Sequence, residues 1–225
     1  VRARLPGWPA IAAFTVLAVL IGYQGRTLRD SLKGNMYLGR NFYGGLKVTQ
    51  YNGYYDWRGY RTLAHGSINH GEQYTHPARR HSPTTYYCPD TGPGRFLASS
   101  VVGTPQRVAI IGLGTGTMAA YGRPGDAYRF YEINPLVPYV ANTYFTYLKD
   151  SDAIVDIQMG DARLSLERQE PQHYDLIAVD AFSSDSIPVH LLTREALQLY
   201  FRHLAPQGVL AVHISNRYIN LEPVL

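Results

Sequence analysis

Glycines and acidic residues recur in this sequence directly after short apolar runs, where buried strands would end. The run Val108–Ile111 is followed by Gly112, Gly114 and Gly116. Glycine permits a tight turn and a close approach of the backbone to a ligand. The spacing is G-x-G-x-G, without the lysine of a P-loop and without the G-x-G-x-x-G of a dinucleotide fold. The triplet alone therefore indicates either a ligand-binding loop or only a sharp turn.

Two further apolar runs end in carboxylates that suit a nucleoside. Glu132 follows Gly112 by about 20 residues, the distance at which an acid on the next strand accepts hydrogen bonds from ribose hydroxyls. Asp161 follows the third run and opens a helical pattern, so it is either a helix N-cap or an acceptor for an adenine amino group, or both. Together with the glycines, these acids predict an adenosine-containing ligand.

Asp180 follows the apolar run Leu176–Val179, and Asp185 lies in the Ser-rich loop after it. Helix capping would explain part of that loop, but Asp180 precedes the loop at the end of the predicted strand. A carboxylate in this position stabilises a cationic group and can accept a proton. Asp180 is therefore the predicted catalytic acid–base or orienting residue, with Asp185 as a second candidate.

The elements that must position these residues alternate between strand and helix. The predicted strands are "RVAIIGLG", "AYRFYEI", "AIVDIQMGD", "YDLIAVDAF" and "GVLAVHIS". Helical spacing of apolar residues marks "PLVPYVANTYFTYL", "ARLSLERQ" and "TREALQLYFRHLA". Such alternation predicts an α/β, Rossmann-like parallel sheet, which binds ligands at the carboxyl ends of its strands. Upstream, "FYGGLKVTQY", "YRTLAHG" and "SINHGEQYT" predict a small antiparallel β lobe, and "RFLASSVVG" a helix.

An uncharged stretch at residues 5–23 predicts a membrane helix. Its length is close to the roughly 20 residues that span a bilayer, and arginines flank both ends. A signal peptide or a buried core helix is the alternative. The predicted organisation is a hydrophobic helix at 1–26, a basic linker at 27–41, the β lobe with a connecting loop at 42–100, and the nucleoside-binding domain at 101–225, truncated at its C-terminus.

Charge and cysteine content argue against several other classes of protein. The net charge is +4, but the basic residues gather near the N-terminus and at Arg79–His81 rather than along one face, so nucleic acid is not an expected partner. The single cysteine, Cys88, cannot form an internal disulfide. The histidines His65, His70, His76 and His81 lack a zinc-ligand spacing, and no metal site is predicted.

Seven motifs together resemble the spermidine synthase (polyamine aminopropyltransferase) family: "FYGGLKVTQY", "RTLAHGSINHGEQY", "PTTYYCPDTG", "GLGTGT", "YEINP", "GDAR" and "YDLIAVDAFSSDSIPVHLLTREALQLY". The resemblance runs from about Phe42 to the C-terminus. It is closest to the bacterial branch in which such a domain follows a bundle of membrane helices. It implies a class I methyltransferase-like sheet with a small N-terminal β lobe. It also implies transfer of an aminopropyl group from decarboxylated S-adenosylmethionine to an amine such as putrescine.

The resemblance also implies roles for individual residues. Gly112, Gly114, Thr115 and Gly116 match the loop under the cofactor, Glu132 the ribose acid, Asp161 the residue near adenine, and Asp180 the acid that orients the attacking amine and helps take its proton. Gln73 falls among cofactor-facing residues and Tyr86 among substrate-facing ones. A homodimer, and a bacterial inner-membrane location with the catalytic domain in the cytoplasm, complete the expectations.

This chain departs from the family at three places. The family has an acid where this loop has Thr115, and that acid holds the aminopropyl amine. The second acid of the strand-four loop falls at Ser183, with Asp185 two positions later. The family's last strands are absent. Three functions therefore remain open: an aminopropyltransferase, a methyltransferase that uses S-adenosylmethionine itself, or a non-catalytic nucleoside-sensing domain tethered to a membrane bundle. A nicotinamide dehydrogenase ranks fourth, because the glycine spacing and the acid after the fourth strand disfavour it.

Overall fold

The N-terminal unit, residues 1–35, is built around one long helix. The computed structural model describes residues 7–52, 56–66, 68–99, 103–181 and 188–213. Helix α1 spans Trp8–Leu32 and has a proline in its first turn, where a missing N–H is tolerated. Its segment Trp8–Asp30 is long and apolar enough to cross a membrane, and its side chains are exposed. The helix therefore includes residues 27–32 of the segment that the sequence predicts as a basic linker.

A four-stranded antiparallel sheet opens the second unit, residues 36–225. Its strands, in spatial order, are β1 Asn35–Asn41, β2 Gly44–Tyr51, β3 Tyr60–His65 and β4 Ile68–Tyr74. Leu46, Val48 and Leu63 point into the core, so the strands show the inward–outward alternation of a half-buried sheet. The β lobe is confirmed, but β1 is an addition, since residues 35–41 had been assigned to the linker. Helix α2, Gly92–Ser99, follows the lobe.

In the described part of the chain, a five-stranded parallel sheet follows α2. Its strands are β5 Arg107–Ile111, β6 Ala127–Glu132, β7 Ile154–Met159, β8 Tyr174–Val179 and β9 Leu204–Val212, in the spatial order β7-β6-β5-β8-β9. The chain order reverses between β5 and β8, which is the crevice where doubly wound sheets bind ligands. The central strands β5 and β8 are almost wholly buried because both faces of the sheet are covered.

Among the described residues, four short helices lie between these strands: α3 Leu136–Tyr144, α4 Tyr147–Asp150, α5 Ala162–Glu167 and α6 Arg194–His203. Asp161 caps α5 by accepting from the backbone N–H of Leu164, and Thr193 caps α6 in the same way. The segment after the glycine loop forms only a 3₁₀ turn, Thr117–Tyr121, rather than an α-helix. Gly122, Pro124 and Gly125 follow at once and prevent the helix from continuing.

Candidate functional site

A cleft lies over the carboxyl ends of β5, β6 and β7, and we call it the strand-end cleft. It has a cavity volume of about 130 Å³. The strand ends contribute Gly112–Gly114, Glu132–Asn134 and Gly160–Ala162, while the small sheet contributes Leu46, Leu63, His65 and His70. Asp180, Pro188 and His190 complete one wall. The position agrees with the ligand-binding edge predicted for a parallel sheet.

The glycine loop is shaped by its neighbours in the protein. Gly112, Gly114 and Gly116 have φ values of 102°, 53° and 82°. A Cβ at Gly112 would lie 2.5 Å from the carbonyl oxygen of Asp180, and one at Gly114 would lie 2.6 Å from that of His70. One at Gly116 would meet the side chain of Leu148 at 2.8 Å. The packing thus requires all three glycines before any ligand is considered.

Only the first half of that loop faces the strand-end cleft. Gly112 and Gly114 line it, whereas Thr115 and Gly116 do not. Thr115 is 1% exposed, and its hydroxyl lies 2.8 Å from that of Thr117. The Thr115 side chain packs against Gly71 of β4, where an added Cβ would lie 2.5 Å from the Oγ1 atom of Thr115. Thr115 is thus directed toward β4 and not toward the cleft.

Glu132 connects the glycine loop to the end of β6. Its Oε2 accepts from the backbone N–H of Leu113 at 3.0 Å, and its Oε1 from that of Asn134 at 2.8 Å. Burial raises the pKa of this carboxyl, while the backbone N–H groups act in the opposite direction. The N–H of Ile133 also interacts with this carboxylate, which leaves one of its four lone-pair sites open to a hydroxyl donor from the cleft.

Asp161 is held from two sides at the edge of the cleft. Its Oδ1 accepts from the backbone N–H of Leu164 at 3.0 Å, and its Oδ2 lies 2.7 Å from Nε2 of His190. The cap predicted from the sequence is present, and Asp161 also lines the cleft. The contact with His190 was not anticipated, and it ties the segment before α6 to the start of α5.

Asp180 lies between the strand-end cleft and a second cavity of about 550 Å³. The second cavity is lined by Tyr86, Tyr87, Thr91–Pro93, Ala178–Asp180 and Val209–His213. The Asp180 side chain is 10% exposed. Its Oδ2 accepts from the hydroxyl of Tyr87, and its Oδ1 lies 2.5 Å from Nδ1 of His213. Asp180 therefore lines both spaces, and its carboxylate is bonded to two side chains of the second cavity.

The groups around Asp180 have perturbed protonation equilibria. Burial, followed by the negative charge of Asp180, raises the pKa of both Tyr86 and Tyr87. Both phenols therefore remain protonated hydrogen-bond donors at neutral pH. Burial and the neighbouring His65 lower the pKa of His70, against the opposing effect of Asp180. The Nε2 atom of His70 is buried and has no hydrogen-bond partner among the described residues.

The structure does not bring every predicted residue to these cavities. Gln73 is 4% exposed, and its amide bonds to the carbonyl of Arg80 and to the backbone and hydroxyl of Thr146. It lines neither cavity, because those contacts hold it between β4 and α4. Tyr86 lines the second cavity, and its role in substrate binding stays a prediction. Asp185 lies outside the described residues.

Three residues of the two cavities were missed by sequence reasoning: Tyr87, His190 and His213. His213 carried the same signal as Asp180, since it follows directly on an apolar strand. Tyr87 adjoins the predicted Tyr86 in "TTYYC", but a pair of tyrosines does not show which one points inward. His190 had no local signal, because its partner Asp161 is distant in the sequence.

Known proteins of related sequence are transferases by name. No family model matches the chain. It is 37% identical to a polyamine aminopropyltransferase of Vibrio vulnificus (strain CMCP6) over 114 residues, which are 48% of this chain and 38% of that protein. It is also 30% identical to an N-terminal histidine N-methyltransferase of Emericella nidulans over 107 residues, 47% of this chain and 19% of that protein. The chain thus spans well under half the length of these relatives.

A solved spermidine synthase from Thermotoga maritima has the same fold. It superposes with a TM-score of 0.58 at 18% identity, covering 82% of this chain and 58% of that structure. The predicted class I methyltransferase-like sheet with its β lobe is confirmed. The resemblance to polyamine aminopropyltransferases is confirmed by a relative of that name and by this neighbour. Its restriction to the membrane-fused branch stays a prediction.

Proposed function

We propose that the protein transfers an aminopropyl group from decarboxylated S-adenosylmethionine to a small amine such as putrescine. The observation that carries this proposal is the position of Asp180, a residue that lines both the strand-end cleft and the second cavity. A transferase of this class must bring a sulfonium nucleoside and an amine together at one negative charge. The relative and the solved neighbour named for this chemistry support the proposal.

The residues of the strand-end cleft fit the nucleoside. Glu132 offers a buried carboxylate whose raised pKa reflects incomplete compensation of its charge, and a ribose hydroxyl would supply a further donor. Asp161 offers an acceptor at the cleft edge for the adenine amino group. Gly112 and Gly114 let the backbone form the floor. When bound, the nucleoside supplies an electrophilic carbon next to a positively charged sulfur.

The second cavity fits the amine. The faces of Tyr86 and Tyr87 attract ammonium groups, and Asp180 adds a negative charge at the inner end. Asp180 orients the nitrogen toward the strand-end cleft, where the electrophilic carbon would lie. Such positioning makes the reaction effectively unimolecular. The nitrogen forms the new C–N bond, and the carbon–sulfur bond breaks to leave a neutral thioether.

Helix α1 serves, in this proposal, to hold the domain at a bacterial inner membrane. Its apolar length and its exposed side chains support that role. The lobe and the parallel sheet then lie in the cytoplasm, where the nucleoside is made.

Methyl transfer from S-adenosylmethionine is the second candidate, and one observation favours it. Thr115 stands where the related enzymes have the acid that holds the aminopropyl amine, and its side chain is buried against β4. The cleft therefore gains no carboxylate from the glycine loop.

The test is a product analysis with the full chain in detergent. Decarboxylated and intact S-adenosylmethionine are each incubated with putrescine, and the products are identified by mass spectrometry. The aminopropylated diamine supports the proposal, and a methylated amine establishes the second candidate instead. Tight binding of either nucleoside, measured by calorimetry, without any transfer would overturn both and support a sensing domain. Asp180→Asn is the control that separates binding from chemistry.

A further inference from the structure

His190 lies at the edge of the strand-end cleft in a direct contact with Asp161. Its Nε2 lies 2.7 Å from Oδ2 of Asp161, and both residues line the cleft. The side chains of His190 and Asp161 are 48% and 19% exposed, so solvent and ligands can reach both. The contact joins the 3₁₀ turn Val189–Leu191 to the start of α5. The two side chains therefore present one polar surface to a ligand in the cleft.

The turn that carries His190 is held from two directions. Nη1 of Arg163, on α5, donates to the backbone carbonyl of His190 at 3.0 Å. The hydroxyl of Tyr200, on α6, donates to the backbone carbonyl of Leu191 at 3.0 Å, in a buried position. The placement of the imidazole beside Asp161 is therefore set by the fold and does not depend on a ligand.

The contact with Asp161 leaves one ring nitrogen of His190 as an acceptor. A carboxylate can only accept hydrogen bonds, so Nε2 donates to it, and the neutral imidazole then carries its lone pair on Nδ1. In the described part of the chain, no protein group bonds to Nδ1. This atom is therefore available to a donor on the ligand.

The residues next to this pair are apolar and suit a flat base. Ala162 directly follows Asp161, and Leu191 directly follows His190. Both apolar residues line the strand-end cleft, as does Pro188. Apolar walls with a few polar groups that fix orientation are typical of small-molecule pockets. A purine matches such a pocket, because its faces are apolar and its hydrogen-bonding groups lie on its edges.

Resting on the proposed function, we propose that His190 recognises the base of the nucleoside by accepting a hydrogen bond from its 6-amino group at Nδ1. A 6-amino group carries two N–H donors and therefore needs two acceptors. Asp161 supplies one of them, and His190 supplies the other. A 6-oxo base such as hypoxanthine has a carbonyl at that position, which would face two acceptors without a donor between them. The pair thus makes the strand-end cleft selective for adenine.

The test compares two thioether nucleosides that differ in the 6-substituent of the base. One is 5′-methylthioadenosine, the thioether that the proposed transfer leaves behind, and the other is its 6-oxo analogue, 5′-methylthioinosine. Each is titrated into the full chain in detergent and followed by calorimetry. Leaving the polar groups of a site unpaired costs on the order of 10- to 100-fold in affinity, so we expect the adenine compound to bind at least about 10-fold more tightly.

Two amide variants separate recognition of the base from support of Asp161. His190→Gln places its amide near the former Nε2 and can still donate to Asp161, but it has no acceptor where Nδ1 was. We expect it to lower the ratio of the two dissociation constants by about 10-fold. His190→Asn places its amide near the former Nδ1 and can still accept from the base, so it should keep the ratio within about threefold of the wild-type value.

His81→Gln is the matched control, because His81 is exposed and lines neither cavity. It should leave the ratio unchanged. Each ratio is measured on a single protein sample, so it does not depend on the fraction of that sample that is folded.

The outcomes separate this inference from the proposed function. The inference is overturned if His190→Asn loses the preference, alone or together with His190→Gln, because the imidazole would then act through Asp161. An unchanged ratio in both variants also overturns it, and so does a wild type that prefers the 6-oxo base, since Nδ1 would then be a donor. In each of these cases, a wild type that aminopropylates putrescine still upholds the proposed function. A wild type that binds neither nucleoside refutes both.

Discussion

Glu132 should hold the glycine loop in place even when no ligand is bound. Its carboxylate accepts from the backbone N–H groups of Leu113 and Asn134, and the side chain is buried at 8% exposure. Glu132→Ala leaves both donors without this partner in an enclosed site. An unsatisfied buried donor costs about 1–3 kcal/mol, so the loss lies at roughly 2–6 kcal/mol in total.

The net effect is smaller, because the substitution also removes a buried charge. The raised pKa of Glu132 shows that burial opposes its ionised form. We therefore expect the free energy of unfolding to fall by about 2–4 kcal/mol. At about 2–4 °C per kcal/mol for a domain of this size, Tm should fall by roughly 5–15 °C.

The assay is urea and thermal denaturation of the ligand-free protein, followed by circular dichroism. Glu170→Ala is the matched control, since Glu170 is exposed. It should change the free energy of unfolding by less than about 0.5 kcal/mol. A result for Glu132→Ala within that same margin would refute the reasoning, because it would mean that the carboxylate does not support the loop. Added nucleoside should raise Tm of the wild type more than that of the variant, since the ribose contact is lost as well.

Further predictions concern protons, backbone strain and the membrane. A ribose donor would stabilise the ionised Glu132 carboxylate, whose pKa is raised in the free protein, so nucleoside binding in mildly acidic buffer should release a proton. The affinity for the nucleoside should fall as the pH falls through that raised pKa. Calorimetry in two buffers of different ionisation enthalpy measures the proton release, and Glu132→Gln should abolish it. Burial lowers the pKa of His70 and His203, so the unfolded chain takes up protons first, and stability should decline as pH falls below about 6.5; a urea midpoint that is unchanged from pH 7 to 5 would contradict this. Gly114→Ala places a Cβ 2.6 Å from the His70 carbonyl oxygen at a φ of 53°, so the free energy of unfolding should fall by about 1–3 kcal/mol. Gly25→Ala is the control, because open space surrounds Gly25, and it should cause no such loss. Equal urea midpoints for the two variants would argue against a packed loop. Removing residues 1–33 should release the protein from membrane pellets without detergent, and partition of both forms into the aqueous phase would exclude an anchor.

The sequence alone was sufficient for the architecture of the parallel sheet. Strands such as Arg107–Ile111 are continuous apolar runs because both faces are buried, and such runs are recognisable without any contact information. The carboxyl end of each run then places Glu132, Asp161 and Asp180 on one edge, since parallel strands all point the same way. The small lobe was recognisable for a related reason, as its strands alternate between inward and outward residues.

Predictions from local sequence patterns were wrong where a residue's partners lie far away in the chain. "NMYLGRN" looks polar and was assigned to a linker, but it pairs with β2 as an edge strand. Gln73 has the polarity of a ligand contact, yet its amide is used by Thr146 and Arg80 across the fold. The residue type alone predicted a tight turn at Gly112, Gly114 and Gly116. The atoms that leave no room for a side chain there belong to Asp180, His70 and Leu148, which the sequence did not indicate.

The sequence by itself therefore determined which residue types lie at the strand ends, because hydrophobic periodicity and chain direction are local properties. Only the tertiary structure decided how those residues are paired. The contacts of Asp180 with Tyr87 and His213 join segments far apart in the chain, and so does the contact of Asp161 with His190. Such pairs depend on the order β5-β8-β9 and on the placement of the turn before α2 beside β8, and no spacing within one segment records that arrangement. Whether a carboxylate attracts a ligand or orients a histidine is fixed by those distant neighbours.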